Sequence, residues 1–146
     1  EFIPLPYVSM ESPMYKRGNA RPGPTFREVM LMHAVSRIAL NPHIKNIQAS
    51  WVKLGKEGAL SCLNAGVNDM GGTLMNESIS RAAGSIHGQE FEANRMEEFI
   101  TSAARKPQLR NTIYEPIDSE VSREIAIDLN VNPMQSFMDS AHPVAY

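Results

Sequence analysis

The sequence has a single cysteine, Cys62, among its 146 residues. One thiol cannot form a disulfide within the chain, and alone it cannot supply a cysteine-ligated zinc or iron–sulfur site. No two of the four histidines have the spacing of metal ligands on a helix. The sequence therefore predicts no metal site formed by this chain alone.

A basic excess and long apolar runs are also absent. Fourteen Lys and Arg residues stand against 16 Asp and Glu, which gives a net charge of −2 and no global attraction to nucleic acid or anionic lipid. No apolar run approaches the roughly 18 residues of a transmembrane helix, and no signal-peptide pattern opens the chain. We expect no nucleic-acid or membrane partner and a cytoplasmic location, or an organellar one if the source is eukaryotic.

The chain opens on Glu1-Phe2-Ile3, without an initiating Met and within an apolar, β-prone stretch. We therefore expect a piece of a longer protein. Its hydrophobic content of 42% is ordinary for a globular protein. At roughly 100–200 residues per domain, the length allows one domain at most.

Strand and helix patterns alternate along the chain. Thr25 and Glu28 form a capping-box sequence that opens a helix, and Asn41-Pro42 ends it. The helical spacing within it predicts a buried stripe of Leu31, Ala34, Val35 and Ile38. Extended segments are predicted at 2–8, 46–52 and 67–74, and further helices at 57–65 and 92–105.

Alternating β and α elements with short links indicate an α/β fold with a parallel sheet and right-handed crossovers. Three such units are too few for a closed eight-stranded barrel, which takes about 250 residues, but they fit its last third. We expect this part to span residues 1–114. Residues 115–146 are expected to form a loosely structured C-terminal extension.

Two segments have polar residues where parallel strands bind ligands, at their C-terminal ends. In the first, Gln48 and Ser50 alternate with apolar Ile47, Ala49 and Trp51. The polar pair would face either a barrel lumen, where a ligand or water must satisfy it, or bulk solvent.

In the second segment, Asp69 and Thr73 share one predicted side, and Gly71-Gly72 interrupts the strand. Glycines in a strand indicate either the close approach of a ligand or a simple bulge. Asn76 begins the next turn, where free N–H groups could hold an anion or cap a helix.

His87 follows on a loop, as a functional or an ordinary surface residue. Cys62, beside Leu63, is expected to be inert packing.

Residues 1–28, 46–84 and the His87–Glu90 sequence HGQE resemble the FO synthase family. Members make the deazaflavin chromophore 7,8-didemethyl-8-hydroxy-5-deazariboflavin (FO). The resemblance is to the C-terminal part of the tyrosine-using radical-SAM module and reaches about residue 114. Menaquinone-pathway radical-SAM enzymes share the Trp51-Val52-Lys53 and Gly71-Gly72-Thr73 elements and are the close alternative. A non-catalytic docking fragment is the alternative from another class.

The resemblance implies the C-terminal portion of a radical-SAM TIM-type barrel, incomplete in this chain. It implies a transferase that joins a hydroxybenzyl fragment of L-tyrosine to 5-amino-6-(D-ribitylamino)uracil. It further implies a [4Fe–4S] cluster, S-adenosylmethionine (SAM), and a second radical-SAM module as a fused or separate partner. The cluster cysteines of the C-x-x-x-C-x-x-C motif are absent here, so this chain alone is expected to be inactive.

Site residues follow from the same resemblance. The substrate-binding wall is assigned to Gln48, Ser50, Lys53, Asp69, Thr73 and Asn76. Lys53 is a candidate partner for the tyrosine carboxylate. Pro4 and Leu5 match the segment that flanks the SAM adenine in this superfamily. No residue of this chain is assigned a catalytic role.

Overall fold

The computed structural model describes residues 1–74, 77–87 and 90–118. The chain divides into two compact units, Glu1–Arg105 and Lys106–Tyr146. The first contains the helices described below: α1 (Pro13–Lys16), α2 (Phe26–Leu40), α3 (Trp51–Leu63), α4 (Ile79–Ala82) and α5 (Ala93–Ser102).

Helix α2 begins with the predicted capping box, which is confirmed. Thr25 Oγ1 accepts a hydrogen bond from the Glu28 backbone N–H at 3.3 Å, and Glu28 Oε2 accepts one from the Thr25 N–H at 2.7 Å. These bonds lower the pKa of the exposed Glu28 carboxyl, with the Thr25 backbone N–H as the largest cause. Both orphan N–H groups are satisfied, which fixes where the helix starts.

The buried face of α2 is not the predicted one. Its buried residues are Val29, His33 and Ser36. Residues predicted to be buried are instead exposed: Leu31 by 52%, Val35 by 58% and Ile38 by 80%. The predicted buried stripe is therefore wrong for these three residues, because α2 packs on the rest of this unit through the face of Val29, His33 and Ser36.

Three extended segments lie side by side in parallel. Phe2 bridges Ile47, and Gln48 bridges Asp69. Among the described residues these contacts are isolated bridges and do not extend into strands, so the predicted strands are shorter than expected. Pro4 and Pro6 lack the N–H groups that a longer ladder would need. The parallel direction agrees with the alternating α/β order; the three segments alone do not establish a barrel.

The predicted strand 46–52 is wrong at its end, because α3 begins at Trp51. The Ser50 carbonyl accepts hydrogen bonds from the N–H groups of Lys53 and Leu54, which starts the first turn. Gly55 interrupts the helix at φ 72° and ψ 171°, a conformation that favours glycine. The predicted helix 57–65 therefore corresponds to the longer second part of α3.

The core lies between α2, α3, α5 and the paired segments. The predicted helix 92–105 is confirmed as α5, with Met96 buried and Phe99, Ile100 and Ala103 packed against the core. Cys62, predicted to be packing, is buried in α3 beside Leu63. The residues of the core are Val29, Ile47, Ala49, Trp51, Ala59, Cys62, Leu63, Val67, Met70, Phe91 and Met96.

The second unit is described from Lys106 to Asp118. Arg110 and Pro116 form an antiparallel bridge, and the Asn111 side chain accepts hydrogen bonds from the N–H groups of Ile113 and Glu115. Most of the predicted extension 115–146 lies outside the described residues. No helix in the described part of the chain is both long and apolar enough to cross a membrane.

Candidate functional site

Two of the predicted wall residues, Gln48 and Asp69, lie next to each other across the parallel pairing. The Gln48 N–H donates to the Phe2 carbonyl at 3.0 Å, and the Ala49 N–H donates to the Asp69 carbonyl at 3.0 Å. The Asp69 side chain is only 8% exposed. Its Oδ1 accepts the Gly71 N–H at 2.7 Å, which turns the chain immediately after the bridge.

Ser50 and Lys53 follow directly, at the start of α3. Ser50 occupies the N-cap position, but its side chain does not cap the helix. Lys53 Nζ donates to the Ser80 hydroxyl oxygen at 3.1 Å. This bond ties the half-buried Lys53 side chain to the first turn of α4.

The glycine pair lies against the first turn of α3. Trp51 Nε1 donates to the Gly72 carbonyl at 3.2 Å. Thr73, predicted on the same side as Asp69, is exposed, whereas Asp69 is buried. The predicted site residue Asn76 lies outside the described residues. The structure thus brings together Gln48 and Asp69, with Ser50 and Lys53 adjoining them along the chain.

Several residues of this region were not assigned to the wall. Both carboxylate oxygens of Glu77 accept the Ser80 N–H, at 3.0 and 3.1 Å. Ser85 Oγ donates to the Val52 carbonyl at 3.4 Å. The His87 ring lies against Gly55, where a Cβ would come within 2.7 Å of Nδ1. The one sequence signal for this contact was the glycine itself, because a helix tolerates Gly poorly unless another group needs the space.

An aromatic cluster fixes the segment that follows His87. Phe91 is 2% exposed and packs edge-to-face on Trp51 and Phe99, with ring centroids 5.3 and 5.6 Å apart. Lys56 Nζ lies 4.4 Å from the Phe91 centroid. Because Trp51 also holds Gly72, the cluster joins α5 to the site.

Pro4 and Leu5, predicted to flank SAM adenine, line a separate apolar pocket of about 570 Å³ between residues 4–7 and α2. His33 also lines it and is fully buried. Its Nδ1 lies 2.8 Å from the Val29 carbonyl, and its Nε2 has no hydrogen-bond partner in the described part of the chain. The remaining lining residues are Pro6, Tyr7, Arg21, Pro24, Glu28, Val29, Leu31, Met32 and Val35.

The donor set of this chain does not fit an iron–sulfur cluster. Within residues 1–74, 77–87 and 90–118, no group of three or more His, Cys, Asp or Glu side chains could hold a metal ion. Cys62 is buried beside Met30 and His33, with Sγ 3.8 Å from the Met30 sulfur. Burial raises the pKa of the Cys62 thiol to about 11, which disfavours the thiolate that a metal requires.

Comparison with known proteins gives a consistent result. The family described as the CofH/MqnC C-terminal region matches residues 1–123. The chain is 50% identical over 117 residues to a 5-amino-6-(D-ribitylamino)uracil–L-tyrosine 4-hydroxyphenyl transferase from Methanopyrus kandleri, covering 80% of this chain and 32% of that protein.

Two further relatives agree. An FO synthase of Streptomyces coelicolor is 46% identical over 123 residues, 84% of this chain and 14% of that protein. A second transferase of the first kind, from Methanosarcina mazei, is 47% identical over 134 residues, 86% of this chain and 35% of that protein. The chain therefore spans about a third or less of the length of these relatives. No solved structure matches it.

Proposed function

The chain belongs to the family described as the CofH/MqnC C-terminal region, and on that premise we propose that it is part of an FO synthase. The whole protein would join a tyrosine-derived hydroxybenzyl group to 5-amino-6-(D-ribitylamino)uracil. The observation that carries this proposal is the 45–50% identity to relatives named FO synthase or ribitylaminouracil–tyrosine transferase. Their names favour this reaction over the menaquinone-pathway alternative and over a docking role.

The side chains at the ends of the paired segments support a role in substrate binding. Asp69 is a nearly buried carboxylate, Lys53 is a half-buried ammonium, and Gln48 adds a neutral carboxamide beside Asp69. An amino acid and a polyhydroxylated pyrimidinedione present matching groups: a carboxylate, an amine, hydroxyls and an imide. Opposite charges in a partly buried site form hydrogen bonds about twice as strong as neutral ones. We assign to these residues the binding and orientation of substrate.

Bound SAM and a reduced [4Fe–4S] cluster supply radical chemistry in enzymes of this kind. The residues of this chain do not fit the cluster, as shown by its single buried cysteine. Its ligands would come from other parts of the whole protein. The contribution proposed for this chain is to bind substrate and to exclude water, for which the Trp51–Phe91–Phe99 cluster provides an apolar support.

For the architecture of the whole protein, we propose a parallel α/β barrel that the remaining length of the polypeptide completes. Two features support this. The first extended segment bridges Ile47 through Phe2, and Leu5 and the apolar side of α2 are exposed in this chain. Relatives extend well beyond the matched region. A cytoplasmic location and a second radical-SAM module as partner remain predictions.

Product analysis of the whole protein tests the proposal. The protein is reconstituted anaerobically with iron, sulfide and SAM and is incubated with tyrosine and the ribitylaminouracil. Formation of FO, or of its immediate precursor adduct, is expected. A product made only from a menaquinone-pathway precursor would assign the protein to the alternative enzyme class.

A further inference from the structure

The backbone around Gln48 is held from both sides. Its own N–H donates to the Phe2 carbonyl at 3.0 Å. The neighbouring Ile47 carbonyl accepts the Asp69 N–H at 3.2 Å, and the Ala49 N–H donates to the Asp69 carbonyl at 3.0 Å. These bonds fix the position of the Gln48 Cα. The position of the terminal carboxamide then depends on the residues that it contacts.

That packing partner is Gly71. Gly71 has a φ of +72°, and a Cβ built there would lie 2.6 Å from Gln48 Nε2 and 3.0 Å from Cδ. These atoms are the flexible end of the Gln48 side chain, so a Cβ at position 71 would displace the carboxamide from the space that it occupies. The Asp69 carboxylate holds the Gly71 N–H, which keeps the glycine in this place.

The C=O and NH₂ groups of the Gln48 carboxamide are available to hydrogen-bond a ligand. Gln48 is half-buried, and its carboxamide is not among the buried side-chain polar atoms of the described ranges that lack a partner, so water or a ligand can reach it. A partly buried amide without a partner is costly unless water or a ligand satisfies it. A carboxamide presents one acceptor and one donor edge in a single plane. The imide edge of a pyrimidinedione, a carbonyl beside an N–H, has the complementary pair.

We propose that Gly71 is a positioning residue that holds the Gln48 carboxamide in place to pair with the imide edge of the ribitylaminouracil. This inference rests on the proposed function and adds to it which substrate Gln48 recognises. Gly71 has no side chain, so it leaves open the space that the Gln48 carboxamide fills. The next residue, Gly72, provides a matched control, since a Cβ there would meet nothing within 4 Å.

The test uses the whole protein and measures KM for each substrate, together with equilibrium binding of the ribitylaminouracil in the absence of SAM. Loss of a two-point neutral hydrogen bond corresponds to about 10-fold weaker binding. We expect Gly71→Ala and Gln48→Ala each to raise KM and Kd for the ribitylaminouracil by about this factor, with KM for tyrosine unchanged. Gly72→Ala should leave both substrates unaffected.

A double variant separates positioning from backbone strain. If Gly71 acts through Gln48, adding Gly71→Ala to Gln48→Ala has no further effect on KM or Kd. An effect of Gly71→Ala that persists in the Gln48→Ala background overturns the inference, as does an effect on tyrosine alone. If Gly71→Ala does not fold, Gln48→Glu, which removes the amide donor, must weaken ribitylaminouracil binding, and unchanged binding overturns the inference. A wild-type protein that neither binds nor converts the ribitylaminouracil instead contradicts the proposed function.

Discussion

Lys53 and Ser80 are joined by a hydrogen bond between the ammonium and the hydroxyl oxygen, with Nζ and Oγ 3.1 Å apart. Ser80 is 4% exposed, and its own N–H is held by the Glu77 carboxylate. The hydrogen bond to Ser80 therefore restrains the long, flexible side chain of Lys53. This reduces the conformational entropy that Lys53 would lose on binding an anion.

Replacing Lys53 by methionine tests its assignment to the tyrosine carboxylate. The change removes the charge and preserves most of the apolar stem. A charge-assisted hydrogen bond contributes about 1.5–3 kcal/mol, so Lys53→Met should raise KM for tyrosine about 10- to 100-fold in the whole protein. Ser80→Ala is the control, because it frees the ammonium without removing it and should change this KM much less. An unchanged KM for tyrosine with a lowered Tm would leave Lys53 a purely structural role.

Asp69→Asn separates charge from turn geometry. Asparagine retains an oxygen that can accept the Gly71 N–H, so the turn and the Tm should be preserved. Loss of the charge should lower kcat/KM about 10- to 100-fold if the carboxylate binds a substrate amine or hydroxyl. Asp69→Ala, which also removes the acceptor, should lower both kcat/KM and Tm. Unchanged kcat/KM and Tm for Asp69→Asn, with a lower Tm only for Asp69→Ala, would assign Asp69 to the turn alone.

Cys62 should be unreactive in the folded protein. Burial raises its thiol pKa from 9.0 to about 11. Alkylation by iodoacetamide at pH 8 should therefore be much slower than in the protein denatured by urea. Because the thiol pKa is higher in the folded protein than in the unfolded chain, the protonated thiol contributes fully to the free energy of unfolding below pH 9. This contribution is lost as the pH rises through about 11. Cys62→Ala should flatten that alkaline loss of stability, and equal alkylation rates before and after denaturation would show that the thiol is not buried.

The exposed apolar side of α2 should behave differently in the 146-residue chain and in the whole protein. In the isolated chain, Ile38→Glu should reduce self-association, because Ile38 is 80% exposed there. In the whole protein we expect Ile38 to be covered, so the same change should lower the free energy of unfolding by about 1.5–3 kcal/mol, which is the contribution of burying a large aliphatic side chain. Arg27→Glu, an exposed change on the same helix, is the control. Equal stability of wild-type and Ile38→Glu whole protein would show that nothing covers this face.

Local signals predicted the start of α2 and the presence of α5. The Thr25–Glu28 capping box is a short-range pattern, so it predicted the start of α2 without reference to the rest of the fold. The parallel order followed from alternating elements and is seen in the two parallel bridges. Gln48 and Asp69 were predicted on separate strands, and the structure pairs them.

Other features depended on contacts distant in sequence. A buried Trp51 is compatible with an alternating strand and also with the first turn of α3. Its apolar character therefore could not distinguish the two, and the start of α3 was missed. Leu31, Val35 and Ile38 form the most apolar stripe of α2, but which stripe is covered depends on what packs there. The Lys53–Ser80 bond and the His87 contact with Gly55 link positions about 30 residues apart, which no local pattern specifies.

The central claim is that this chain is part of an enzyme that joins tyrosine to the ribitylaminouracil. The most direct measurement follows ring-¹³C-labelled tyrosine through the anaerobically reconstituted whole protein by mass spectrometry. We predict that the labelled ring appears covalently attached to the ribitylaminouracil, and that omission of either substrate abolishes this mass. If a protein with a full complement of cluster leaves labelled tyrosine unjoined to the ribitylaminouracil, while the Methanopyrus kandleri transferase converts it under the same conditions, the claim is contradicted.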